Sequence, residues 1–192
     1  MAIPHSTEIA NLALIRLGAD TIADIDEGSI NSGYVLAVYD SCVRILMREH
    51  NWDFAIKRQG LALSAVTNLT PKDNAYQMPS NCARFIALLD EDYEEVSVED
   101  WFVEKDQIYT DEDDAYAKFI DETVATAYYD EGFKRALGLL IAWNIAMKLT
   151  ENAKIRLEVY QEYLVALREA KGKNARSAKS EPTEPPVWNT IR

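Results

Sequence analysis

Four adjacent carboxylates, Asp111-Glu112-Asp113-Asp114, form the densest group of potential ligand or acid–base atoms in the sequence. Oxygen-rich clusters can hold hard divalent cations, but a calcium-binding EF-hand loop also needs a central glycine for its turn and a distal glutamate. Neither stands at the required place, so the cluster reads as a solvated acidic loop and no metal is expected. General acid–base catalysis needs two carboxylates converging in space, and no spacing here singles out a pair. The chain has 2 histidines, His5 and His50, and 2 cysteines, Cys42 and Cys82. They are scattered over different elements and make no zinc-binding pattern. His50 falls at an expected helix end, where an imidazolium can meet the last carbonyls. Cys42 falls on an apolar stripe and reads as a small buried hydrophobe. Phosphate-binding loops, dinucleotide fingerprints, nucleophile elbows and metalloprotease helices are all missing from the sequence. The expectation is a non-enzymatic protein without a cofactor.

Recognition of a partner has a better candidate. The chain closes on Glu181-Pro182-Thr183-Glu184-Pro185-Pro186-Val187-Trp188-Asn189-Thr190-Ile191-Arg192. A tryptophan and an isoleucine after a proline-rich polar stretch have no core to join. Large apolar side chains presented in this way serve as anchors on a partner surface. Pro185, Pro186, Val187, Trp188, Ile191 and Arg192 are the expected docking residues. Trp52 and Phe54 follow directly on a helix and read instead as a plug between two parts of the core.

Composition bounds the setting. The 192 residues are 48% hydrophobic and 27% charged, which suits a folded domain rather than a disordered chain. No apolar run approaches the roughly 20 residues of a membrane span, and the N-terminus lacks a secretory pattern. Two cysteines cannot make a disulfide framework, so a reducing compartment is expected. The net charge of −12 argues against general binding to polyanions. That charge is unevenly spread: residues 90–131 hold 17 acidic and 2 basic residues, a net of −15, which leaves +3 for the remainder. Arg168, Lys171, Lys173, Arg176 and Lys179 make the stretch after residue 167 basic.

These features need elements to hold them. Helices are expected over 6–17, capped by Ser6 or Thr7 and stopped by Gly18, and over 29–49. Two more are expected over 130–150, capped by Asp130, and from about 152 to 171, stopped by Gly172. Apolar residues recur at helical spacing in each: Ile9, Leu12, Ala13 and Leu17; Val35, Val38, Cys42, Ile45 and Leu46; Phe133, Leu137, Leu140, Ile141, Asn144 and Ile145; Leu157, Tyr160, Leu164 and Leu167. Between them, residues 60–67, 82–89, 101–103, 107–110 and 115–120 have strand character, with a hairpin at 101–110 and a loop over 68–75. The expected fold is mainly α: an antiparallel bundle of about four helices in residues 1–172, a small β subdomain inserted at about 56–125, and an extended C-terminal tail over 173–192.

Several of these segments resemble the head-to-tail adaptor (connector) family of tailed phages, a family that includes the podovirus tail tubular protein A. Ala13-Leu14-Ile15-Arg16-Leu17-Gly18-Ala19 resembles its N-terminal motif. Glu49-His50-Asn51-Trp52-Asp53-Phe54-Ala55 with Arg58 resembles its tryptophan motif, with Asn51 where a proline is common. Tyr76-Gln77-Met78-Pro79-Ser80-Asn81-Cys82-Ala83-Arg84 resembles its central turn-to-strand motif, with Asn81 where an aspartate is common. Residues 133–150 and 160–170 resemble its closing helices. The resemblance implies a virion protein, made in the host cytoplasm, that forms a dodecameric ring beneath the portal protein. It would join the portal to a distal tail protein (nozzle or tail tube) and surround the DNA exit channel without binding DNA specifically. It also implies that the C-terminal tail docks on the portal. The Asp111–Asp114 loop would then face the channel or a partner. An alternative from another class is an acidic helical module that binds or regulates a basic protein.

Overall fold

Polar caps set where the helices begin. In this computed structural model, which describes residues 2–65 and 67–177, Ser6 Oγ accepts the Ile9 N–H at 3.4 Å and starts α1 (Thr7–Arg16). Ser29 Oγ accepts the Ser32 N–H at 3.2 Å and starts α2 (Ile30–Arg48). Asp130 Oδ1 accepts the Phe133 N–H at 2.7 Å and starts α3 (Glu131–Thr150). Each supplies one of the backbone partners that a helix N-terminus lacks. Gly18 takes φ +70°, the left-handed turn that stops α1. Glu151 takes φ 49° between α3 and α4 (Ala153–Ser177).

α3 is the central helix, and α1, α2 and α4 all pack on it. Its buried residues, among them Phe133, Leu137, Leu139, Ile141 and Ile145, surround the helix rather than line one stripe, as a helix enclosed on several sides requires. α4 approaches α3 closely: a Cβ at Gly132 would lie 3.1 Å from the Ala170 Cβ. Small residues therefore occupy the contact. Val159, Tyr163, Ala166, Leu167 and Ala170 are buried, whereas Leu157 is 58% exposed and Leu164 is 41% exposed. The expected α4 stripe is thus corrected: of its four residues only Leu167 belongs to the core. Leu12 of α1 and Ile45 of α2 are likewise exposed.

Among the described residues, six strands lie between α2 and α3. β1 (Ile56–Gly60), β6 (Tyr116–Asp121) and β3 (Cys82–Leu89) form one antiparallel sheet in the order β1-β6-β3. β2 (Asn74–Gln77), β5 (Gln107–Thr110) and β4 (Trp101–Glu104) form a second in the order β2-β5-β4. The first sheet joins the helical core through Ala83, Ile120, Ile56 and Ile86. A second, smaller core gathers Tyr76, Leu88, Ile108 and Ala115, with Phe85 and Trp101 packed against it. The described residues are 45% helical and 19% strand, so the fold is α+β and not a mainly α bundle with a minor β insertion. The cause is non-local pairing. Ile56 faces Ile120 and Asn74 faces Thr110, contacts that local periodicity does not encode. The strand expected over 60–67 is corrected: β1 ends at Gly60, and among residues 61–65 only Leu63 makes a β-bridge, to Tyr76. Part of the expected 68–75 loop is β2, along which residues 61–65 run: Ser64 N–H donates to Ala75 O at 2.8 Å and Gln77 N–H to Ala62 O at 2.9 Å.

The joint between helices and sheets is built on Trp52, which is fully buried. Its indole N–H donates to Leu46 O at 2.9 Å. Its ring lies edge-on to Phe133 at 5.1 Å, and Phe54 lies edge-on to Phe133 at 5.0 Å, an arrangement aromatic quadrupoles favour. The last turns of α4 close the same corner. Asn174 Oδ1 accepts the Asp53 N–H at 3.1 Å, while Asn174 Nδ2 donates to Asn51 O at 3.0 Å and lies 3.1 Å from His50 Nε2. α4 therefore runs through Gly172 to Ser177, past the expected stop. A nitrogen facing an amide N–H donor must be unprotonated, which overturns the expected imidazolium at His50. Burial lowers the His50 pKa first, and the nearby Lys171 and Arg84 lower it further against the opposing pull of Asp53.

Two outcomes follow from this joint. Trp52→Ala should lower stability by about 3–5 kcal/mol, the cost of a large core truncation, read from urea denaturation. Because the folded His50 pKa is lowered, the unfolded chain takes up the proton first as pH falls. Stability is then lost below about pH 6.5. The urea midpoint should drop more between neutral and acidic pH for the native chain than for His50→Gln.

Candidate functional site

Many of the acidic residues lie in loops of the β module: the loop after β3, the β4–β5 hairpin and the β5–β6 loop that carries Asp111–Asp114. Local bonds fix that last loop. Lys72 Nζ lies 2.8 Å from Asp111 Oδ2, and the Asp73 N–H donates to Asp111 Oδ1 at 3.0 Å. Both hold the Asp111 carboxyl below its ordinary range, Lys72 most strongly. Tyr76 OH donates to Glu112 O at 2.9 Å and also to Asp113 O, and Asn74 Nδ2 donates to Glu112 O at 3.0 Å. The loop is thus a rigid display of carboxylates whose backbone is tied to β2. Among the described residues, no group of three or more His, Cys, Asp or Glu side chains could hold a metal ion.

A second surface belongs to the helices. α1 and α4 stand on either side of α3, and Arg16 bridges them with a two-pronged ion pair to Glu162 at 2.7 and 2.8 Å. Two cavities flank this bridge. One, of about 190 Å³, is lined by Leu12, Arg16, Arg135, Gly138, Leu139 and Glu162. The other, of about 330 Å³, is lined by Arg135, Glu158, Gln161, Glu162 and Val165. Val165 is 50% exposed at its edge. Sequence periodicity missed this groove because it treats the large apolar residues of α4 as core. The exposure of Leu164 and Val165 beside the buried Tyr163, Ala166 and Leu167 is what marks it.

The histidine and cysteine side chains each have a definite setting in the fold. His5 Nε2 lies 2.8 Å from Asp40 Oδ1, but the neighbouring Ser6 hydroxyl is used as the α1 cap. Cys42 is buried under α3, where Asn144 Nδ2 lies 3.4 Å from its sulfur, and burial pushes its pKa up to about 12. Burial also pushes the Cys82 thiol up to about 11. The docking residues expected in the tail, Pro185, Pro186, Val187, Trp188, Ile191 and Arg192, lie outside the described residues. Thiolate is the reactive species, so a disulfide-exchange reagent at pH 8 should modify neither cysteine rapidly in the folded chain and both in denaturant, as measured by absorbance of the released thiol.

No helix among the described residues is long and apolar enough to cross a membrane. No family model matches the chain, and no curated protein matches it.

Proposed function

We propose that the chain is a structural virion protein, a head-to-tail adaptor that forms a ring beneath the portal of a tailed phage and surrounds the DNA exit channel. The observation that carries this reading is the separation of charge: a rigid acidic β module on a helical body whose C-terminal stretch is basic. A carboxylate-lined wall repels phosphate and lets DNA pass without holding it. The segments that resemble the adaptor family also fall at the joints of this fold. The first stops α1 at Gly18, the second carries Trp52 and Phe54, and the third links β2 to β3. These are the places where a shared architecture constrains residue types most. In this reading the portal takes the C-terminal anchors, the distal tail protein meets the opposite end, and the ring has twelve copies.

The alternative, an acidic module that captures a basic protein, uses the same charge separation but gives a small fixed oligomer and no affinity for a portal. Imaging the full chain mixed with purified portal distinguishes the two. The expected result is a twelve-fold ring on the portal, weakened about thirtyfold in affinity by Trp188→Ala if that side chain is an interface hot spot. Portal particles without added density would reject the adaptor reading.

A further inference from the structure

α4 carries a track on its outer side. Gln161, Val165, Arg168, Gly172 and Arg176 recur at three and four residues, so they share one face of the helix. Arg168 and Arg176 are exposed, and the position of a Cβ on Gly172 between them has no atom within 4 Å. The track leads from the end of α4 to the groove beside Val165. From Arg176 back to Gln161 the helix spans about 22 Å.

The residues that follow Ser177 match this track in order and spacing. Glu181 and Glu184 come first, then Pro185 and Pro186, then Val187 and Trp188. A proline-rich segment extends by about 3.1 Å per residue, so one of its residues spans about two residues of α-helix. Turned back after Ser177, the segment brings Glu181 beside Arg176, Glu184 beside Arg168, and Val187 with Trp188 alongside Val165 and Gln161. Trp188 lies within about 34 Å of Ser177 by chain length, more than the groove requires. Charge and apolar character thus agree at three successive points.

We infer that the groove along α4, walled on its other side by Arg135 of α3, is a docking site for residues 181–191 of the same chain, with Glu181 and Glu184 on Arg176 and Arg168 and Trp188 in the cavity edged by Val165. In this arrangement a partner that takes the Trp188 anchor must first displace it from its own helix. The tail is then withheld rather than freely presented. The inference does not rest on the adaptor reading, and its test uses the isolated chain, so either can fail alone.

The test is disulfide trapping in the full-length double variant Gln161→Cys/Asn189→Cys, followed by mass spectrometry under mild oxidation. The bond should form within one chain, at a rate independent of protein concentration. It should form about tenfold faster than in the control Ser97→Cys/Asn189→Cys, whose partner lies on the β module. Arg168→Glu/Arg176→Glu should slow trapping about fivefold, and adding Glu181→Arg/Glu184→Arg should restore it. A rate equal to the control, or one indifferent to charge reversal, would overturn the proposal. Bonds formed only between chains would overturn it too, and would assign the groove to a second copy.

Discussion

The fold depends on how one tryptophan is buried. Trp52 sits where α2 ends, where the first sheet begins, and where α3 starts with Phe133. An indole there must be both dry and hydrogen-bonded, since an unpaired buried N–H costs about as much as the burial gains. Leu46 O satisfies it from the last turn of α2, which in turn leaves that helix end facing inward. The chain on either side of Trp52 has backbone groups of its own to pair, and Asn174 supplies partners for two of them, Asn51 O and Asp53 N–H, from the far end of α4. One burial event thus fixes the direction of four elements.

Much of this was legible. Ser6, Ser29, Asp130 and Gly18 mark helix ends through chemistry local to a few residues, and the β4–β5 hairpin is as local as a cap. The role of Trp52 could be read because a tryptophan directly after an amphipathic helix has few other uses. What was not legible depends on distance. β1 finds β6 only across the whole insertion, so the two sheets and their own core were undervalued as a small β subdomain. The α4 register failed for a different reason. Hydrophobicity favours the largest side chains as core, but close approach of two helices favours the smallest. Gly132 and Ala170 meet where a leucine would not fit, and Leu157 and Leu164 turn outward while Leu167 stays in the core.

The candidate surfaces divide the same way. The acidic block can be counted from the sequence, and its loop was correctly located between two strands. The sequence did not disclose that Asp111 is held by Lys72, or that the loop backbone is tied down by Tyr76 and Asn74. Lys72 and Asn74 lie on the segment read as a loop and Tyr76 just beyond it, and all three belong to β2 or its approach. The groove along α4 could not be seen at all until the correct face of α4 was known.

The insertion enters through β1 and leaves through β6, and these two strands are hydrogen-bonded neighbours in which Ile56 faces Ile120. The two ends of the β module are therefore held one strand spacing apart, about 4.8 Å, whatever lies between them. The helical body meets the module through this stem and through the start of β3, at Ala83 and Ile86. Loops beyond that stem can lengthen, shorten or change charge at small cost to the body. Such a stem lets a lineage exchange the outward-facing cassette, and with it the partner it addresses, while the framework underneath is inherited unchanged.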